Sequence, residues 1–214
     1  PGLDVEMLRD EKVKVLKGIR PLRSSDVVRG QFRGYRDEPG VSPNSQTETF
    51  VALTLEINSW RWKGVPFFIR AGKNLPVTAT DVIVKLRQPP AIFSEVPLPS
   101  NHMRFRVTPN LQIAVGALVK KAGEPLEGEQ IELLISEQSD PTELGAYGEL
   151  LHDAIQGESA RFARQDYVEE SWRIVDPVLI GAGPLYDYEP GSWGPPEADR
   201  LVDAIGGWNN PAVS

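Results

Sequence analysis

Cysteine is absent from this chain of 214 residues, and histidine is scarce, with only two copies. The absence of thiols excludes disulfide bonds, zinc–thiolate sites and cysteine nucleophiles, and it is compatible with the cytoplasmic location that we expect. His102 lies on the polar side of a predicted strand, and His152 lies in a predicted amphipathic helix. Two such residues are too few for a multi-histidine metal site, so we predict no metal centre.

Long apolar runs and an excess of positive charge are also missing. No apolar run approaches the roughly 20 residues needed to cross a bilayer, and no signal-peptide pattern opens the chain. The formal net charge is −7, whereas a nucleic-acid binder normally presents a basic face. We therefore expect neither a membrane nor a nucleic acid as a partner.

The short motifs of several enzyme classes are absent as well. The chain contains no complete glycine fingerprint of a dinucleotide-binding fold, no P-loop, no HExxH zinc motif and no GxSxG nucleophile motif. It starts at Pro1, and a predicted helix follows almost at once. We therefore expect a piece of a longer polypeptide.

What the sequence does contain is enough apolar residues, 40% of the total, for a sizeable core. The first segment is predicted to be a helix, because Val5, Leu8, Val15 and Ile19 fall near one helical face and Asp4 is a suitable N-cap.

The middle of the chain alternates apolar and polar residues with a period of two, which indicates strands. Short turns and the lack of intervening helices favour antiparallel pairing. The predicted strands are Thr47–Ile57, Asp81–Arg87, 103–107, Gln112–Val119 and Gln130–Ser136.

The last third returns to helical spacing, since Leu144, Tyr147, Leu151 and Ala154 share one helical face. The segment 181–195, rich in glycine, proline and aromatic residues, is predicted to be an ordered loop. The expected fold class is α+β, with one large, mostly antiparallel sheet and helices packed on one face.

The strand Thr47–Ile57 carries apolar residues on both faces. Val51 and Leu53 point to one side, and Phe50 and Ala52 point to the other. Because a second apolar face needs a cover, this strand predicts self-association through the sheet.

Several segments, in order along nearly the whole chain, resemble one family. They include RDEKVKVL at 9–16, DEPGV at 37–41, RWKGVPFFIRAGK at 61–73, Arg106–Val107 with Pro109–Asn110, and GSWGP at 191–195. Together they resemble the C-terminal domain of the glucose-6-phosphate dehydrogenase family. The resemblance implies one domain over residues 1–214.

The resemblance also implies a function. The family oxidises glucose 6-phosphate to 6-phosphogluconolactone in the pentose phosphate pathway and passes hydride to NADP. Its N-terminal domain binds NADP and supplies the catalytic histidine, and this chain matches neither part. We therefore expect the chain alone to be inactive and to contain no catalytic residue. In the family the sheet forms the dimer interface, so a homo-oligomer, dimer or tetramer, is expected.

The resemblance assigns part of the sugar-phosphate site to this chain. In the family, the lysine that matches Lys73 contacts the phosphate, and a compact ammonium with three donors suits a phosphate dianion. Arg70 and Thr78 are further substrate-binding candidates, and Arg70 has an ion pair at the sheet edge as its alternative role. Many family members have a second Lys or Arg where this chain has Thr78.

No cofactor is expected on this chain itself. Some family members bind a structural NADP on this domain through basic and aromatic residues. Arg70 and Arg106 match that set, whereas Ala79, Ile83 and Ala114 stand at other positions of it.

Two alternatives stay open. The chain could come from a non-catalytic relative that binds a sugar phosphate, or it could be a free-standing dimerisation module.

Overall fold

The computed structural model describes residues 4–87, 100–122, 128–136, 145–179 and 183–211. They form three α-helices, α1 (Val5–Lys17), α2 (Ala146–Gln156) and α3 (Gln165–Leu179). The strands are β1 (Val27–Phe32), β2 (Phe50–Glu56), β3 (Pro66–Gly72), β4 (Thr80–Lys85), β5 (His102–Thr108), β6 (Gln112–Lys120), β7 (Gly128–Ser136) and β8 (Leu185–Tyr188). The chain divides into two compact units, a first of 1–76 with 144–208 and a second of 77–143 with 209–214.

Helix α1 begins as predicted, because the Asp4 carboxylate accepts a hydrogen bond from the Glu6 backbone N–H at 3.0 Å. Its link to α3 runs through Arg164, whose guanidinium contacts the carboxylates of Glu6, Asp10 and Asp166. These three carboxylates raise the pKa of Arg164, with Asp166 contributing most. The two helices therefore stand together over one sheet face.

The first unit holds a four-stranded sheet in the order β3-β2-β1-β8. Its pairs are antiparallel except for β1 and β8, which run parallel. Strand β8 pairs Leu185 with Arg29 and Tyr188 with Phe32, so residues about 156 positions apart meet in one ladder.

Both faces of this first sheet are covered within the chain. One face packs against α1, α3 and the segment between α1 and β1, in a helix-side core of Ile19, Leu22, Val27, Ile57, Ile174 and Val178. The other face is covered by the C-terminal segment, which forms two short 3₁₀ helices, in a loop-side core of Val28, Phe32, Phe50, Ala52, Tyr188 and Ala198.

The second unit holds an antiparallel sheet in the order β4-β5-β6-β7. Its register aligns apolar side chains in rows across all four strands, one row being Val82, Phe105, Ile113 and Ile135, the next Val84, Met103, Val115 and Leu133. Most of these residues are exposed, with Leu133 at 64% and Ile135 at 69%. We call this surface the apolar face.

The opposite surface of the second sheet is a charged face. Arg106 pairs with Asp81 at 2.8 Å, and Arg104 pairs with Glu132 at 2.9 Å. His102 lies on this face, 3.5 Å from the Glu132 carboxylate, so the polar placement predicted for this histidine is confirmed.

The α+β class and the mostly antiparallel pairing are confirmed. The single large sheet is corrected to two four-stranded sheets, because β3 and β4 lie in different units and do not pair. Strands β1, β3 and β8 were not among the strands predicted from the alternation, and β8 lies inside the segment predicted to be a loop. Leu144 lies outside the described residues, and the single domain over 1–214 stays a prediction.

The predicted cover for strand β2 is also corrected. Phe50 and Ala52 are buried in the loop-side core, while Val51 and Leu53 pack against the helix-side core. The strand therefore needs no second copy of the chain. No helix among the described residues combines the length and the apolar character that a membrane span requires.

Candidate functional site

Lys73 follows directly after β3, where the antiparallel ladder with β2 ends. Its backbone N–H donates to the Thr49 carbonyl at 2.8 Å, which extends the ladder by one bond. The residue is exposed, and within the described ranges no hydrogen bond or ion pair engages its ammonium. A cation is thus presented on a fixed backbone with its donors available.

A buried chain of hydrogen bonds ends at the Lys73 carbonyl. The Tyr188 hydroxyl donates to this carbonyl at 2.8 Å, and the Thr49 hydroxyl lies 3.0 Å from the Tyr188 oxygen. The Thr49 hydroxyl in turn accepts from the Phe32 backbone N–H at 2.9 Å. Burial raises the pKa of the Tyr188 phenol, against smaller opposing effects of its bonds to Thr49 and Lys73, so it stays protonated.

The neighbouring Asn74 is held in the same way. It has a positive φ of 50°, and its carbonyl accepts from the Gly191 backbone N–H at 2.7 Å. Tyr188, the last residue of β8, and Gly191, three residues later, therefore anchor two consecutive carbonyls at the end of β3.

The two glycines near this turn are required by packing. A Cβ at Gly72 would lie 2.9 Å from the Phe50 ring, and one at Gly194, whose φ is +101°, would lie 2.2 Å from the same ring. The packing of Phe50 accounts for the missing side chain at both positions.

Arg70 is placed differently from Lys73. Its guanidinium lies between two indole rings, 4.9 Å from the centroid of Trp193 and 4.8 Å from that of Trp208. Burial lowers the pKa of Arg70, and the Asp199 carboxylate opposes this shift. Arg70 thus connects the end of β3 to the C-terminal segment through cation–π contacts.

Thr78 is exposed and lies between β3 and β4, in the second unit. Of the three predicted site residues, Arg70 and Lys73 therefore belong to the first unit, in and directly after β3, and Thr78 belongs to the second. Arg106, which matched the structural NADP set of the family, is engaged by Asp81.

Other groups at this site were missed by sequence reasoning. Tyr188, Thr49 and the tryptophans at 193 and 208 gave no local signal, since their partners are far away in sequence; Tyr188 is 115 residues from Lys73. The only hints were the aromatic content of the segment 181–195 and the motif GSWGP, which contains Trp193. No group of three or more potential metal ligands occurs among the described residues.

The fold is that of an α+β protein with one helix-backed sheet and a second sheet that has one apolar face, and comparison with known proteins identifies its family. The model of the family "Glucose-6-phosphate dehydrogenase, C-terminal domain" matches residues 2–209. The chain belongs to the glucose-6-phosphate dehydrogenase family.

Individual relatives agree with this assignment. The chain is 37% identical to the glucose-6-phosphate 1-dehydrogenase of Aggregatibacter actinomycetemcomitans, over 98% of the chain and 47% of the relative. A crystal structure of the enzyme from Mycobacterium avium superposes with a TM-score of 0.89 and 38% identity, over 100% of the chain and 46% of that structure.

A second solved structure, a glucose-6-phosphate dehydrogenase in complex with glucose 6-phosphate, superposes with a TM-score of 0.80. It is 30% identical and is matched over 99% of this chain and 46% of its own length. The chain spans about half the length of the relatives that it matches.

Proposed function

We propose that this chain is the C-terminal half of a glucose-6-phosphate dehydrogenase, which oxidises glucose 6-phosphate to 6-phosphogluconolactone with NADP in the pentose phosphate pathway. The family match over residues 2–209 carries the proposal. NADP and the catalytic base belong to the other half of the protein, so the chain alone reduces no NADP and binds none. A cytoplasmic location fits one relative, whose name includes the word cytoplasmic.

Within this function, Lys73 is the main phosphate ligand that the chain contributes. Its exposed ammonium stands on a backbone that is hydrogen-bonded on both sides. A charge-assisted contact to a phosphate dianion contributes about 1.5–3 kcal/mol. Arg70 supports the same strand end from its place between the two indoles, and a direct contact of Arg70 or Thr78 with substrate stays a prediction.

Steady-state kinetics of the full-length protein test this role. Lys73→Ala should raise KM for glucose 6-phosphate about 10- to 150-fold, at about 1.4 kcal/mol per decade. The kcat should change less, because phosphate binding is mostly uniform between ground and transition states. Lys63→Ala is the matched control, since Lys63 is also an exposed turn lysine. An unchanged KM for Lys73→Ala would contradict the proposal and would mean that Lys73 is an ordinary solvated lysine.

We further propose that the protein is a homodimer, or a tetramer built as a dimer of dimers, in which the apolar face of the second sheet packs against a second copy. Most side chains of two complete apolar rows are exposed there, which exceeds the scattered apolar residues of an ordinary surface. The occupant is a second copy because the pleated rows of one apolar face can pack on those of an identical face about a two-fold axis.

Leu133→Glu tests the interface, with Leu134→Glu as its control. Leu133 is on the apolar face, and Leu134, the next residue of β7, points to the charged face. Sedimentation of the full-length protein at micromolar concentration should give monomers for Leu133→Glu and the parental oligomer for Leu134→Glu. A parental protein that is monomeric, or two variants that dissociate alike, would contradict the proposed interface.

A further inference from the structure

We propose that Tyr188 is a positioning residue for Lys73: its buried hydroxyl fixes the peptide that carries the phosphate-binding lysine. The inference rests on the role proposed above for Lys73. Tyr188 has 3% of its surface exposed, whereas Lys73 is exposed, so Tyr188 acts through the backbone and not on the substrate.

The Tyr188 hydroxyl reaches two carbonyl oxygens, that of Lys73 at 2.8 Å and that of Thr49 at 3.2 Å. Because the Thr49 carbonyl already accepts from the Lys73 N–H, only one order of the bonds satisfies every group. The Phe32 N–H donates to the Thr49 hydroxyl, the Thr49 hydroxyl donates to the Tyr188 oxygen, and the Tyr188 hydroxyl donates to the Lys73 carbonyl. Each hydroxyl both donates and accepts, and such chains strengthen one another in a buried setting. The chain of bonds links β1, β8 and the residue before β2 to the end of β3.

The geometry fixes both sides of the lysine. The Lys73 N–H is held by the Thr49 carbonyl at 2.8 Å, and the Lys73 carbonyl is held by Tyr188. The next carbonyl, that of Asn74, is held by the Gly191 N–H. The side chain therefore leaves the sheet from a backbone with little rotational freedom, which lowers the entropy lost when the ammonium meets a phosphate.

The ring of Tyr188 has a separate packing role. It lies 5.5 Å from the Phe50 ring and 6.4 Å from the Phe32 ring, centroid to centroid. Tyr188→Phe keeps these contacts and removes only the hydroxyl. Tyr186→Phe is the matched control, because Tyr186 packs on the same loop-side core and its hydroxyl makes no hydrogen bond to the described residues.

The experiment is a kinetic double-mutant cycle on the full-length protein, with Tyr188→Phe, Lys73→Ala, their combination and Tyr186→Phe. Tyr188→Phe should raise KM for glucose 6-phosphate about 2- to 10-fold, the range of one neutral hydrogen bond, while kcat and KM for NADP stay unchanged. In the Lys73→Ala background the same substitution should have no effect on KM. Tyr186→Phe should behave like the parent.

The outcomes separate the two proposals. If Lys73→Ala raises KM and Tyr188→Phe does not, the positioning role fails and the phosphate role stands. If Tyr188→Phe raises KM by the same factor with and without Lys73, or lowers kcat and raises both KM values together, Tyr188 is an ordinary structural residue. If Lys73→Ala leaves KM unchanged, both proposals fail.

Discussion

The two sheets of this chain look alike in sequence and differ in how they are covered. In the first unit, Phe50 and Val51 point in opposite directions from one strand, and each enters a core built by the chain itself. In the second unit, Ala114 is buried under the charged face, while Val115 beside it is 39% exposed on the apolar face. Alternation thus predicts which residues share a face, and only the tertiary contacts tell which faces are covered.

The aromatic residues allow the two units to be observed separately. All five tryptophans, at 60, 62, 172, 193 and 208, belong to the first unit, and the segment 77–143 contains none. Tryptophan fluorescence therefore follows the unfolding of the first unit. Hydrogen exchange of the strands β4 to β7 follows the second.

The largest expected difference between the sheets comes from truncating a buried and an exposed side chain. Phe50→Ala should lower the unfolding free energy of the first unit by about 3–5 kcal/mol, because the ring is 2% exposed and fills the space beside Gly72 and Gly194. Val82→Ala on the apolar face should cost less than about 1 kcal/mol in the dissociated protein, since Val82 is 51% exposed.

Denaturant unfolding, followed by fluorescence for Phe50→Ala and by hydrogen exchange for Val82→Ala, measures both values. The Val82→Ala protein needs to be studied below the concentration at which it associates. Equal losses in the two units would mean that the second sheet is as well covered as the first.

A smaller effect should distinguish the two faces of the second sheet from each other. The Asp81 side chain is 6% exposed and pairs with Arg106, whereas the adjacent Val82 points to the apolar face. Asp81→Asn should cost about 1–3 kcal/mol, because it leaves the Arg106 guanidinium without its carboxylate in a partly buried place. Hydrogen exchange of β5 measures the loss of unfolding free energy in the Asp81→Asn and the Val82→Ala proteins. A loss in Asp81→Asn that is no larger than the loss in Val82→Ala would contradict the ranking.

The smallest expected effect is the loss of stability of each unit at acidic pH. The hydrogen bond from Arg20 lowers the pKa of Asp26 in the first unit, and that from Arg104 lowers the pKa of Glu132 in the second. A carboxylate whose pKa is lower in the folded than in the unfolded protein stabilises the fold at any pH above the unfolded-state pKa. This contribution is lost as the pH falls through the folded-state pKa. Both contributions should therefore fade below the ordinary values of 3.8 for Asp26 and 4.5 for Glu132.

Asp26→Asn and Glu132→Gln should flatten this acid dependence in their own units only. The measurement is the unfolding midpoint of each unit between about pH 7 and about pH 3, by the same two probes. A variant that flattens the response of the opposite unit would show that the carboxylates do not act locally.

The sequence predicted the strands whose faces differ clearly in polarity, and it missed the others for physical reasons. Strand β1 contains Arg29, Gly30 and Gln31, which break the alternation, yet Gln31 is 3% exposed. Its amide donates to the carbonyls of Ser45 and Thr47, which makes burial of a polar residue possible. No local sequence pattern predicts that these carbonyls will lie next to the Gln31 amide.

The candidate site was only partly predictable from the sequence, because some of its contacts join residues that are far apart in the chain. Lys73 was found through the resemblance of the segment 61–73 to a family, because a lysine after a glycine is otherwise an ordinary turn. Arg70 was found in the same segment, but its stacking between Trp193 and Trp208 depends on contacts more than 120 residues away in the chain. Long-range contacts of this kind follow from the fold and not from spacing.

The parallel pairing of β1 with β8 has a consequence for the order in which the protein is made. Strands β4 to β7 each pair with their neighbours in the chain, so the second sheet can form as soon as β7 leaves the ribosome. The first sheet is complete only after Tyr188 has been synthesised, because its fourth strand, β8, ends at this residue. The hydroxyl that binds the Lys73 carbonyl and the residues that cover Phe50 also follow β7 in the chain. During synthesis, the sheet that carries the candidate phosphate ligand is thus completed after the second sheet, and β1 keeps an unpaired edge until then.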